Sequence, residues 1–113
     1  MQLDSAVLYT NDIEGIIEFY LSLGLKLDYR QGDKFVSFFF SNNVRLGIKR
    51  AVEDREKPGA QTIFITEEEI ERKYNEIKST NIALYKELTQ ESWGTYFAIL
   101  DPDGNKIEFI KRA

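Results

Sequence analysis

The order strand, capped amphipathic helix, three strands occurs twice in this chain, and few folds are open to a chain built that way. Leu3 to Tyr9 reads as a strand, and Asn11 is placed to cap a helix with Glu14 three residues on, in capping-box spacing. Ile13, Ile16, Ile17, Tyr20 and Leu23 then recur on one helical face, and Gly24 stands where a helix ends in a left-handed residue. Strands are expected at about 25–29, 34–40 and 44–50, with Arg30-Gln31-Gly32-Asp33 and Ser41-Asn42-Asn43 as turns. The charged stretch Val52 to Gly59, interrupted by Pro58, reads as a solvated linker. The pattern then restarts. Thr62 to Ile65 is a strand, Thr66 with Glu69 is a second capping box, and Ile70, Tyr74 and Ile77 form a helical stripe to about Ser79. Strands are expected near 82–87, 94–100 and 105–111. The caps Asn11 and Thr66 lie 55 residues apart, and Val44–Arg50 and Lys106–Arg112 close the two halves on the same Ile-Lys-Arg, 62 residues apart.

This organisation predicts an α+β domain over residues 1–113, made of two βαβββ modules at about 1–51 and 60–113. A four-stranded sheet with a helix on one face leaves its other face open. Pairing two such open faces, within the chain or across a dimer, makes a cleft of the kind in which ligands sit. Glu67-Glu68-Glu69 falls where a helix begins, where negative charge is favoured by the macrodipole.

Composition excludes several function classes. A net charge of −4 and a pI near 4.9 argue against nucleic acid as the partner. No apolar run approaches the ~20 residues of a membrane span, and no basic segment leads into an apolar one as in a secretory signal. The chain has no Cys, which removes disulfides and thiol chemistry and makes the cytoplasm the expected compartment. It has no His either, so the commonest general base and the commonest transition-metal ligand are both missing.

The segment Leu100-Asp101-Pro102-Asp103-Gly104-Asn105-Lys106-Ile107-Glu108-Phe109 reads as a strand end, a tight turn and a second strand. Pro102 presets φ and Gly104 permits φ > 0 in that turn. Alternation turns Glu108 away from the face carrying Ile107 and Phe109. This hairpin resembles the C-terminal hairpin of the glyoxalase / bleomycin-resistance / extradiol-dioxygenase (vicinal oxygen chelate) superfamily. Val7 to Tyr20, with its Asp before the helix and its Phe19-Tyr20, followed by Leu23-Gly24-Leu25, is similar to the opening of that family, and Trp93-Gly94 matches a common feature before the last hairpin. The resemblance covers nearly the whole chain. It implies paired βαβββ modules around a cleft, often in a homodimer. It also implies that a metalloenzyme of the family would place ligands at or near Ser5, at Leu46 or Gly47, near Gln61 and on Glu108. Only Glu108 is a good ligand, and one carboxylate beside neutral oxygens does not suit a transition metal. No metal, no cofactor and no catalytic residue is therefore assigned.

Phe38, Phe39 and Phe40 are consecutive, so a strand cannot turn all of them toward a helix. At least one lines the cleft, an interface or solvent. The face of the first strand that carries Ser5, Val7 and Tyr9 is the cleft face by the family's ligand parity. The expected ligand-binding set is Tyr9, Phe38, Phe40, Gln61, Trp93, Tyr96 and Glu108. Glu108 has two readings: a polar residue or ion-pair partner on a wet sheet face, or a contact for a cationic or hydroxyl-bearing ligand. The expected function is metal-independent binding of an aromatic or cationic small molecule by a cytoplasmic homodimer, as in bleomycin-resistance proteins. The alternative is a lyase-like or dioxygenase-like enzyme of the same superfamily with a degenerate or unusual metal site.

Overall fold

A computed structural model describes residues 1–113 as two compact units, Met1–Gly59 and Ala60–Ala113. Each unit is a βαβββ module. The first contains β1 (Ser5–Thr10), α1 (Ile13–Ser22), β2 (Lys26–Gln31), β3 (Phe35–Phe39) and β4 (Arg45–Arg50). Its strands lie in the order β1-β4-β3-β2, with β1 parallel to β4 and the other pairs antiparallel. Strand alternation turns Leu8, Val36, Phe38, Leu46 and Ile48 to one face, where α1 covers them with Ile13, Ile16, Ile17 and Tyr20. The Tyr20 ring meets the Phe38 ring at 5.6 Å.

The start of α1 differs from the expected cap. Asp12, not Asn11, is the N-cap, and its Oδ1 accepts the Gly15 N–H at 3.0 Å. The register decides this. Thr10 is still in the sheet opposite Arg50, and its hydroxyl accepts the Asp12 N–H at 3.1 Å, which fixes where the chain can turn into the helix. The helix ends as expected, with Gly24 at φ 99°.

The second unit contains β5 (Thr62–Thr66), α2 (Ile70–Lys78), β6 (Leu84–Glu91), β7 (Gly94–Leu100) and β8 (Lys106–Arg112), in the order β5-β8-β7-β6. Ile107 and Phe109 of β8 and Phe97 and Ile99 of β7 are buried on the α2 side, with Phe97 stacked on Phe109 and edge-on to Tyr74. Thr66 does not cap α2. It remains in β5 opposite Ile110, and the next amide, Glu67 N–H, donates to Ile110 O at 2.8 Å, so the ladder claims the residues a capping box would have used. The N-cap of α2 is Glu69, which makes no side-chain cap bond, and of the acidic residues only Glu71 lies in the first turn. Glu67 instead accepts the Glu69 N–H through Oε2 at 3.1 Å.

Two loops are built around carboxylates. Asp101 Oδ1 accepts the Asp103 and Asn105 N–H groups, each at 2.9 Å, and Oδ2 accepts from Asn105 Nδ2 at 3.0 Å. Asn105 Oδ1 in turn accepts the Gln61 N–H, which ties the β7–β8 hairpin to the start of β5. The stretch 52–59 is not simply solvated. Glu56 is buried, with Lys49 Nζ at 2.7 and 2.9 Å from its two oxygens and the N–H groups of Val52 and Glu53 donating to Oε1. The Lys49 hydrogen bond first, then those from Glu53 and Val52, hold the Glu56 carboxyl down at about 2 from an ordinary 4.5.

Candidate functional site

The open face of the Ala60–Ala113 unit is read directly from β8. With Ile107 and Phe109 turned to the helix, Glu108, Ile110 and Arg112 point the other way. The ladders place Phe64 of β5 and Ala98 of β7 on either side of Glu108, Tyr96 beside Ile110, and Gly94 beside Arg112. Trp93, just before β7, stacks on Tyr96 at 5.4 Å with 26° between the planes, and the Arg112 guanidinium lies 5.8 Å from the indole centroid. Phe64, Trp93, Glu108, Ile110 and Arg112 together line a shallow cavity of about 290 Å³.

Gly94 is what lets this corner form. Its φ is 151°, and a Cβ there would sit 2.3 Å from Lys111 O and 2.9 Å from Arg112 Cα. Only glycine permits β7 to approach β8 so closely, and that approach brings Trp93 over Arg112.

Glu108 has an unusual setting for a carboxylate. Its side chain is only 14% exposed, and the cation beside it, Lys106 Nζ, lies 3.9 Å away, beyond hydrogen-bond range. Lys106 also lies 5.2 Å from the Tyr85 ring centroid. The carboxylate thus keeps unused acceptor capacity next to exposed aromatic surface, with Phe64 at 63% exposure.

Of the expected ligand-binding residues, this unit brings Trp93, Tyr96 and Glu108 together. Gln61 is not among them. It precedes β5, where its N–H donates to Asn105 and its carbonyl accepts the Lys106 N–H. The β5 residue beside Glu108 is Phe64, three positions on. Phe64 and Arg112 were missed in the sequence, although each could be found by counting in twos: Arg112 shares the parity of Glu108, and Phe64 opposes the parity of Ile63 and Ile65.

In the Met1–Gly59 unit, Tyr9 shares a face with Val7 and stands opposite Lys49, half-buried. Phe38 does not hold as a ligand contact. It is 0% exposed because alternation turns it under α1 onto Tyr20. Phe40 lies past the end of β3, where its N–H donates to Val44 O and its carbonyl accepts the Asn43 N–H. The open face of this unit carries Phe35 and Phe39 beside Tyr9. There Asp28 Oδ2 accepts from Ser37 Oγ and Arg45 Nε, each at 3.0 Å, and the Arg45 guanidinium lies 5.4 Å from the Phe39 centroid. Gly47 makes room for Phe35, since a Cβ at Gly47 would stand 3.0 Å from that ring.

The register also tests the family's metal positions. Between Leu46 and Gly47, the open-face residue is Gly47, opposite Val7, while Leu46 is buried toward α1. Ser5 stands opposite Arg45 instead. The outward pairs that contain Gly47 and Glu108 are therefore Val7 with Gly47 and Phe64 with Glu108. Three of these four carry no donor atom, and nowhere do three or more His, Cys, Asp or Glu side chains gather. These residues do not fit a divalent metal of the kind the family's metalloenzymes hold.

Comparison with known proteins agrees with this architecture. A structure from Sphaerobacter thermophilus described as a member of the glyoxalase/bleomycin resistance protein/dioxygenase superfamily is similar at a TM-score of 0.82 and 21% identity, covering 97% of this chain and 96% of that one. A lactoylglutathione lyase from Agrobacterium tumefaciens is similar at 0.81 and 15% identity, covering 96% and 92%. TioX from Micromonospora sp. ML1 is similar at 0.82 and 12% identity over the full length of both chains. At these identities the likeness is one of fold. No match in sequence was found among curated proteins. The model of the Glyoxalase/Bleomycin resistance protein/Dioxygenase superfamily matches residues 2–109, so the chain belongs to that superfamily.

Proposed function

We propose that the protein binds a partly aromatic, cationic small molecule on the open face of the Ala60–Ala113 unit, without a metal and without transforming it. The observation that carries this reading is the setting of Glu108, a mostly buried carboxylate with free acceptor capacity in a cavity otherwise lined by Phe64, Trp93, Ile110 and Arg112. Aromatic and apolar walls with few polar groups are the usual make-up of a small-molecule site. The rings supply apolar contact, and the carboxylate supplies orientation and charge. The cavity offers no second acid and no hydroxyl beside Glu108, so general acid–base chemistry would have a single participant. The protein is further read as a cytoplasmic homodimer; no helix is long and apolar enough to cross a membrane.

The chain's single Trp lies in the cavity, which makes its emission the natural readout. Titration with a panel of aromatic amines is expected to perturb Trp93 emission saturably, equally before and after EDTA treatment. Glu108→Gln is expected to weaken the best amine by about 1–3 kcal/mol, the range for hydrogen bonds to charged groups, with an unchanged melting temperature. A panel that leaves Trp93 emission untouched, or binding abolished by EDTA, would refute the reading.

A further inference from the structure

The cavity has a second charge, at the end away from Glu108. Along the open side of β8 the residues run Lys106, Glu108, Ile110, Arg112. Residues two apart on a strand are about 6.6 Å apart, so the Cα atoms of Glu108 and Arg112 are separated by about 13 Å with Ile110 between them. The two side chains do not pair with each other. Arg112 rests on the Trp93 ring, and no carboxylate forms an ion pair with it. Lys106 is not part of the cavity wall and lies against Tyr85. A cavity with an acceptor carboxylate at one end, a guanidinium at the other, and Ile110 as floor between Phe64 and Trp93 has a definite polarity.

Resting on the binding reading above, we propose that the ligand is zwitterionic, a flat, elongated molecule whose cation sits on Glu108 and whose anion sits on Arg112. A guanidinium held against an indole face keeps its outer N–H donors directed at a ligand, and its planar fork matches a carboxylate, sulfonate or phosphate. A purely cationic ligand would leave Arg112 repelling it across an apolar floor. A purely anionic one would meet the same opposition from Glu108. Opposite charges at the two ends of one molecule remove both conflicts, and the ring system between them occupies the apolar middle.

The test uses three matched probes: 4′-(aminomethyl)biphenyl-4-carboxylate, 4-phenylbenzylamine and biphenyl-4-carboxylate. Binding is read from the Trp93 indole N–H resonance, a single signal in this chain. The amino acid is expected to bind about tenfold more tightly than either singly charged probe. Arg112→Gln is expected to reduce it to the affinity of the amine while leaving or improving the amine's own affinity, and Arg112→Lys is expected to fall between. Arg112 is exposed at the end of β8, so these variants are expected to keep the wild-type melting temperature. An amine that binds as tightly as the amino acid, with Arg112→Gln without effect, would overturn the zwitterion proposal and leave the cation-binding reading intact. An acid that binds as well as the amino acid, with Glu108→Gln without effect, would overturn both. So would a failure of all three to move the Trp93 signal.

Discussion

Two residues do work that neither their type nor their neighbours announce. Gly94 sits at φ 151° with the Lys111 and Arg112 backbone within 3 Å of where a Cβ would be, whereas Gly104, at φ 94°, has nothing within 4 Å. Both substitutions to Ala meet an unfavourable backbone, worth about 1–2 kcal/mol. Only Gly94→Ala also meets backbone atoms that cannot move without parting β7 from β8. Gly94→Ala is therefore expected to lower stability by clearly more than Gly104→Ala and to shift Trp93 emission, while Gly104→Ala leaves emission alone; thermal melts with fluorescence detection check both. Glu56 makes a different prediction. Its carboxyl titrates at about 2 in the folded protein against an ordinary 4.5, because Lys49 and two backbone N–H groups hold its ionised form. A depressed folded value contributes stability that is fully present above 4.5 and is lost as pH falls toward 2. Melting temperature is thus expected to fall with acidification through that window, and the fall is expected to be shallower in Glu56→Gln, which no longer titrates.

At the scale of elements, periodicity was a reliable guide and caps were not. The stripe Ile13, Ile16, Ile17, Tyr20 and Leu23 is buried throughout, and the strands fall close to where alternation and turns put them, except that β6 runs on to Glu91. Both capping boxes were misplaced for the same reason. A side chain of the right type three residues before a Glu says nothing about where the ladder ends: Thr66 is itself still paired with Ile110, and β1 runs to Thr10, whose hydroxyl takes the Asp12 N–H and moves the cap one residue past Asn11. Loss of a cap bond costs about 0.5–2 kcal/mol. Asp12→Ala is accordingly expected to destabilise by about 1 kcal/mol, and Asn11→Ala by much less, in urea titrations. The same logic separates the consecutive aromatics of β3. Phe38→Ala empties a site fully enclosed under α1 and is expected to cost about 3–5 kcal/mol, while Phe39→Ala, on the half-exposed side with Arg45 beside it, is expected to cost clearly less.

For the whole molecule, the doubling of one module was legible and the composition of the site was only partly so. Parity alone placed Glu108 off the core face, and Trp93-Gly94 marked the right hairpin. Gln61 was expected there by likeness to a metal position rather than by register, and Phe64 was missed because a partner across a ladder is not visible until the strands are paired. Phe38 was lost because three consecutive rings leave the parity of the strand undetermined; Val36, buried on the same side, is what settles it. What the doubled module leaves unsolved is its own open faces. In each unit the helix covers one side of the sheet, and the other side carries exposed apolar residues, Val7 in the first and Phe64 with Trp93 in the second. Apolar surface gathered on one face marks an interaction surface more often than an ordinary exterior. A second copy of the same chain is the simplest partner, because two-fold pairing serves each face twice with one solution. Light scattering is therefore expected to give about 26 kDa, twice the 13.2 kDa of the chain. Because a dimer is stabilised by mass action, the melting temperature is expected to rise with protein concentration. Phe64→Asp is expected to shift the mass toward 13.2 kDa, since it buries a carboxylate in any interface built on that face. A mass of 13.2 kDa at micromolar concentration, with a melting temperature independent of concentration, would instead refute the dimer.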